Sequence, residues 1–234
     1  MHTTRDKKGF LMRWFAPVHQ RFRASKIQAF LGLVGDCSRA SLLDVGGNAG
    51  MNGEFLSLYR SFARVTTVNI SLDHQPVPPE INISRVCADG CNLPFPSSSF
   101  DWIFCNAVIE HVGDFNRQRT LAAEIRRVAR CGYFVTTPNK WFPLEQHTYM
   151  PFYQFMPRPI QRRVLKYAPG YKNWDVMSEV RLLSFREMQS VFPEAVIHRT
   201  NLRNSILASH RKLTPAEDQV PVFPLSLNSM EMKG

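Results

Sequence analysis

The apolar positions of this chain fall into two rhythms. Short runs with little polar alternation read as strands covered on both faces: SLLDV (41–45), RVTTVNI (64–70), SRVCA (84–88), DWIFCN (101–106) and YFVTT (133–137). Between them, MNGEFLSLY (51–59) and RTLAAEIRRVARC (119–131) space their apolar residues at helical intervals. The second of these helices is expected to stop before Gly132, and Pro138 to end the fifth strand. Strand and helix in turn predict a parallel sheet covered by helices. Toward the end, SFREMQSVF (184–192) reads as a helix capped by Ser184. AVIHRT (195–200) and SILAS (205–209), joined by the short link NLRN, read as an antiparallel pair.

Residues 138–180 break this rhythm. They hold six prolines (138, 143, 151, 157, 159 and 169) and four of the six tyrosines, the pattern of an inserted cap rather than another strand–helix unit. The expected organisation is a basic helical segment at 1–38, a main domain at 39–212 with 138–180 as its cap, and a mobile tail at 213–234. Within 234 residues, 44% hydrophobic and 21% charged, this is a globular composition. The first residues lack the apolar core of a secretory signal, and no apolar run is long enough to span a bilayer. The expected location is therefore the cytoplasm, either free or peripheral at a membrane. The five cysteines form no C-x-x-C pair, so reduced, buried thiols are expected and no metal site.

The net charge of +10 adds a question about partners. Basic residues gather at 5–26, 117–130 and 158–172, which suits anionic lipid, nucleic acid or an acidic substrate, or merely a solvated surface. In the first patch Phe10, Leu11, Trp14 and Phe15 are interleaved with the cations, as in segments that lie on membranes.

Candidate chemistry starts at LLDVGGNAG (42–50), where a buried run gives way to a glycine-rich turn. It is no phosphate-gripping P-loop, because Met51 rather than lysine follows Gly50, and it matches the dinucleotide fingerprint only at Gly46. Read as D-x-G-x-N-x-G through Asp44, Gly46, Asn48 and Gly50, it resembles the first motif of class I S-adenosylmethionine-dependent methyltransferases, with Asn48 where a glycine is usual. The stretch ADGCNLPFPSSSFDWIFCNAVIEHV (88–112) resembles the same family, specifically its type 11 domain. LAAEIRRVARCGYFVTTPNKW is similar to its fifth helix and strand. The resemblance covers residues 40–140 well and 184–210 loosely.

That resemblance implies a doubly wound, mostly parallel seven-stranded sheet with an antiparallel last strand, and S-adenosylmethionine as cofactor. It places Asp44, Gly46, Gly47, Asn48 and Gly50 at the amino-acid tail of the cofactor. Asn69, where an acidic residue usually grips the ribose, would take that place, with Ile70 beside the adenine and Asp73 as a possible substitute. Asp89 and Gly90 would meet the adenine amino group, and Asn106 would line the meeting point of cofactor and acceptor. His147, with Glu145 two residues away, and His111 are the candidate general bases. The aromatic residues of 141–155 form either an acceptor wall or a packed cap core. The expected acceptor is a small molecule, a glycolipid or a lipid precursor. The sequence NAVI after the fourth strand departs from the base-methylating motif, which leaves nucleic acid the lesser alternative. A non-catalytic module that has lost its cofactor is the third reading, and the oligomeric state is left open.

Overall fold

The computed structural model describes residues 24–47, 53–72, 76–168, 170, 172–200 and 204–212. Seven strands form one sheet: β1 (Ser41–Val45), β2 (Arg64–Asn69), β3 (Ile83–Cys87), β4 (Phe100–Asn106), β5 (Ala129–Pro138), β6 (Val196–Arg199) and β7 (Ser205–Arg211). Their order is β3-β2-β1-β4-β5-β7-β6. All neighbours up to β5 run parallel, while β7 runs antiparallel to both β5 and β6. The chain winds outward from β1 through β2 to β3, then crosses back to β4 on the other side of β1. That reversal leaves a crevice at the carboxyl ends of β1 and β4.

The two faces of the sheet account for the unbroken apolar runs. Every residue of β1 is buried. Leu43 and Val45 face one core, with Ile103, Tyr133 and Val135. Leu42 faces the other, with Trp102, Phe104 and Phe134. The first core is closed by α3 (Phe115–Val128) and α6 (Phe185–Val191). In α3 the buried Leu121, Ala122, Ile125 and Val128 make one stripe, and the Asp114 side chain caps the helix by accepting from the Arg117 N–H at 2.9 Å. Ser184 caps α6, and the Glu187 side chain returns to the Ser184 N–H to complete a capping box.

The second core is closed by α1, described over 24–34, and α2 (Gly53–Arg60). Ile27, Phe30 and Val34 of α1 are buried, and the Phe30 ring lies 5.1 Å from Phe104 and 5.5 Å from Phe134. Residues 1–23 of the expected basic segment and the tail from 213 lie outside the described residues.

Two expectations need correction. The helix predicted to run to Cys131 and stop at Gly132 ends at Val128, and β5 starts at once with Ala129. Gly132 sits inside the strand, where a Cβ would lie 2.2 Å from the His210 carbonyl oxygen and 2.6 Å from the Trp102 ring. Close approach of β7 and a large side chain, not helix termination, explains that glycine. Among the cysteines, Cys37, Cys91 and Cys105 are buried as expected, but Cys87 is exposed on the outer strand β3 and Cys131 is half-buried.

Between β5 and α6 the chain leaves the sheet. A bridge pairs Leu144 with Pro151, and a short 3-10 turn covers Tyr153–Phe155. Two helices follow, α4 (Arg158–Leu165) and α5 (Trp174–Glu179). Tyr153, Leu165, Ala168 and Met177 make a small core of their own. The segment is anchored to the main body where the Arg181 N–H donates to the Glu110 carbonyl at 2.8 Å and the Gln118 amide donates to the Arg181 carbonyl at 2.8 Å. Among the described residues no helix is long and apolar enough to cross a membrane.

Candidate functional site

A cavity of about 880 Å³ opens in the crevice at the carboxyl ends of β1, β2 and β4. Its floor is Val45 and Gly46 from β1, Asn69 and Ile70 from β2, and Ala88, Asp89 and Gly90 after β3. Its far wall comes from Ala107, Val108 and residues 111–114 with Arg117, and its roof from Arg158 and residues 178–181 of the cap. The size is that of an ordinary cofactor site.

Gly46 makes the turn out of β1. Its φ is +78°, its N–H donates to the Val68 carbonyl at 2.7 Å, and a Cβ would fall 2.3 Å from the Val108 side chain. Only glycine takes this conformation and leaves the floor open. Asp44 behind it does not line the cavity. It is buried, and its Oδ2 accepts from the Tyr59 hydroxyl at 2.5 Å. Burial pushes its pKa up to about 7, against the hydrogen bond from Tyr59. Gly47 also stays off the cavity wall, and a Cβ there would fall 2.6 Å from the Asp44 carboxyl group. Asn48 and Gly50, and Asp73 beyond β2, lie outside the described residues.

Asn69 occupies the expected place at the end of β2 and uses its amide locally. Its Oδ1 accepts from the Ile70 N–H at 2.8 Å, and its Nδ2 reaches the Gly46 carbonyl at 3.5 Å. Ile70 is 79% exposed, an apolar side chain offered at the cavity floor. Asp89 accepts from the Cys91 N–H at 2.9 Å and from the Arg117 guanidinium at 2.7 Å. That arginine holds its carboxyl below the usual range, so it is ionised at neutral pH. Gly90 lies beside it against Leu121. Asn106, like Asp44 and Gly47, does not line the cavity. Its Oδ1 accepts from Thr136 Oγ1 at 2.7 Å, which turns the side chain toward β5 and off the cavity wall.

The two histidine candidates meet. His111 ends the 3-10 turn Ile109–His111 after β4 and lines the cavity, while His147 comes from the cap. Their Nε2 atoms are 3.2 Å apart, with the rings edge to face. The other nitrogen of His147, Nδ1, lies 2.6 Å from Glu145 Oε1. Glu145 is buried, and its Oε2 accepts the N–H groups of His147 and Thr148 at 3.0 and 2.7 Å. Burial pushes the Glu145 pKa up, but the bonds and charge of His147 outweigh it and leave the carboxyl below its ordinary value. For His147 burial pulls downward, and the Glu145 bond and charge reverse this, so the ring titrates above its usual value. His111 is held below the usual imidazole range by desolvation and by the charge of His147.

Several residues of this site carry no sequence signal that points to it. Glu110 reads as an ordinary helix-start carboxylate, yet it is fully buried. Its Oε2 accepts from Thr137 Oγ1 at 3.0 Å, and its Oε1 has no hydrogen-bond partner among the described residues. Burial raises its pKa, against the charges of His147 and Lys26 and its local hydrogen bonds. Ala107 has a φ of +56°, an uncommon conformation for a residue with a Cβ. Arg117 reads as part of a surface patch, and the cap residues 178–181 follow only from packing.

Residues 43–136 match a family model described as a methyltransferase domain. Magnesium protoporphyrin IX methyltransferase from Synechocystis PCC 6803, solved with bound SAH, superposes with a TM-score of 0.54 at 14% identity. The alignment covers 86% of each chain. The N-methyltransferase NodS from Bradyrhizobium japonicum WM9, solved with S-adenosyl-L-homocysteine, gives a TM-score of 0.52 at 14% identity. It covers 83% of this chain and 87% of the other. No curated protein matches by sequence. At such identities the superpositions speak for the fold.

Proposed function

Residues 43–136 form a methyltransferase domain of the class I S-adenosylmethionine-dependent family, and from that premise we propose that the chain transfers a methyl group from S-adenosylmethionine to a small anionic or lipid-linked acceptor. The observation that carries the reading is the cavity at the ends of β1, β2 and β4. It brings Gly46, Asn69, Ile70, Asp89 and Gly90 together where the family places its cofactor. Bound there, the cofactor supplies an electrophilic methyl group on a sulfonium. The residues present fit it. Gly46 leaves the floor open to an amino-acid tail, Asn69 and Ile70 flank a ribose and an adenine face, and Asp89 offers an ionised acceptor for the adenine amino group.

What the chain itself contributes is position. Methyl displacement needs nucleophile, carbon and sulfur in line, and holding them so is worth about 7–11 kcal/mol. The cap supplies the second wall of that alignment. A smaller cavity of about 400 Å³, lined by Tyr153, Gln154, Met156 and Gln161, shares Arg158, Val180 and Arg181 with the main one. An acceptor bound there would meet Arg158 and Lys140 together with Glu145 and the Glu187-paired Arg181. The first two cations have no ion-pair partner among the described residues, which favours an anionic group.

The outer face of the cap supports an amphiphilic acceptor. Trp141 stacks on Phe155 at 5.5 Å, and both rings are exposed, as are Ile160 and Tyr167. Arg162, Arg163 and Lys166, on and just after α4, are exposed too, and the Lys166 ammonium stands over the Tyr167 ring at 4.7 Å. Aromatic rings beside cations suit the headgroup layer of an anionic membrane. Calorimetric titration with S-adenosylhomocysteine, followed by transfer of labelled methyl to anionic lipids and small acids, tests the reading. Micromolar binding that Asp89→Ala weakens supports it. Absence of binding by the wild-type protein sinks it.

A further inference from the structure

Where the cap meets the sheet, three side chains each turn one ligand atom to a common point. Glu110 offers a carboxylate oxygen, and His111 and His147 each a ring nitrogen, all within 4.8 Å of one another. We propose that Glu110, His111 and His147 hold a divalent transition-metal cation of the zinc type.

The nitrogens are already spaced for it. Glu145 engages His147 Nδ1, which leaves Nε2, 3.2 Å from His111 Nε2, as the nitrogen that can ligate once a cation displaces the proton shared between the two rings. Two nitrogens bound to one zinc ion at about 2.0–2.1 Å, at the tetrahedral angle, stand about 3.3–3.4 Å apart, so the rings need separate by only ~0.1–0.2 Å. A carboxylate behind a ligating histidine, itself fixed by backbone N–H groups, is the outer support such ligands have, and Glu145 accepts from both Thr148 and His147.

Glu110 supplies the independent sign. Its side chain is fully buried, Thr137 occupies Oε2, and Oε1 has no hydrogen-bond partner among the described residues. A buried carboxylate oxygen left so is costly, and a cation at the common point would satisfy it. Closing the third edge of the ligand triangle needs a movement of up to ~1.5 Å in the Glu110 carboxyl or the His111 ring. Two imidazoles and one carboxylate suit zinc, cobalt, iron(II) or manganese better than magnesium or calcium. The charge of Lys26 also reaches Glu110 and tempers the affinity.

His111 lines the main cavity and Glu145, behind His147, lines the smaller one, so the cluster stands between the proposed cofactor and acceptor spaces. This consequence rests on the methyltransferase reading, whereas the metal site itself does not. An acceptor hydroxyl on the cation gives its proton to solvent more readily. The resulting oxygen forms its bond to the methyl carbon as the carbon–sulfur bond breaks, and sulfur keeps the electron pair. On this account the two histidines expected as general bases serve as ligands.

The test is metal uptake by the full chain after dialysis against a chelator. One equivalent of Co²⁺ should give visible absorption of four- or five-coordinate cobalt, displaced by Zn²⁺. His111→Ala and His147→Ala should abolish the band, and Glu145→Gln should weaken affinity about 10–100-fold. His198→Ala, on β6 away from the cluster, should leave it unchanged. A wild-type protein that takes up no stoichiometric cobalt overturns the proposal, as does a His147→Ala variant that binds it normally. Cobalt uptake without S-adenosylhomocysteine binding would overturn the methyltransferase reading alone.

Discussion

At the scale of single residues, the cavity floor depends on one backbone conformation and one carboxylate. Gly46→Ala would place a Cβ 2.3 Å from Val108 at a φ of +78°. The conformational cost alone is about 1–2 kcal/mol, and the collision adds to it. The expected outcome is a lower thermal midpoint together with at least a tenfold rise in the Kd for S-adenosylhomocysteine. Asp89→Ala separates these effects. Its ion pair with Arg117 is about half exposed, so little stability rests on it. A hydrogen bond from the adenine amino group to a charged acceptor is worth about 1.5–3 kcal/mol, which is roughly a 10- to 150-fold loss of affinity. Unchanged binding in this variant would remove Asp89 from the site. The sequence brought Gly46, Asn69 and Asp89 into view because each sits at a strand end or in a recognisable motif, and Glu145 and His147 because they stand two residues apart in the aromatic-rich insertion. It could not show Glu110 or Arg117 in their roles, since burial and ion pairing arise from residues distant along the chain.

At the scale of elements, the parallel strands were legible because strands covered on both faces leave unbroken apolar runs. The boundary between α3 and β5 was not legible. Gly132 fits a helix stop as well as a strand position, and only the approach of β7 and Trp102 tells the two apart. Gly132→Ala therefore tests the register of β5 against β7. Its Cβ would meet the His210 carbonyl at 2.2 Å, and backbone cannot swing aside as a side chain does. A loss of about 2 kcal/mol or more in urea unfolding is expected, with no effect specific to cofactor binding. Helix α6 offers a milder comparison. Ser184→Ala removes the side-chain half of the capping box and should cost about 1 kcal/mol. Equal losses in the two variants would mean that the sheet yields where the structure holds it rigid.

At the scale of the whole molecule, Asp44 couples the sheet to pH. It lies in a fully buried strand, with Tyr59 as its hydrogen-bond donor and no cationic partner among the described residues. Its folded pKa is about 7 against an ordinary 3.8. Between those values the folded chain keeps a proton that the unfolded chain has released. By linkage, this group's contribution to stability falls as pH rises through that window, by up to about 1.4 kcal/mol per pH unit, and is level above it. Carboxylates held low by arginine partners, Asp89 and Glu124 among them, act in the opposite sense. Their contribution is present above pH 4 to 5 and lost in acid. The raw stability profile therefore mixes both signs, and the difference between wild type and Asp44→Asn isolates one. Relative to wild type, the variant should gain stability between pH 5 and pH 8 in urea unfolding, because its amide has no proton to lose and can still accept from Tyr59. Parallel profiles for the two proteins would show that the Asp44 carboxyl is ionised inside the fold.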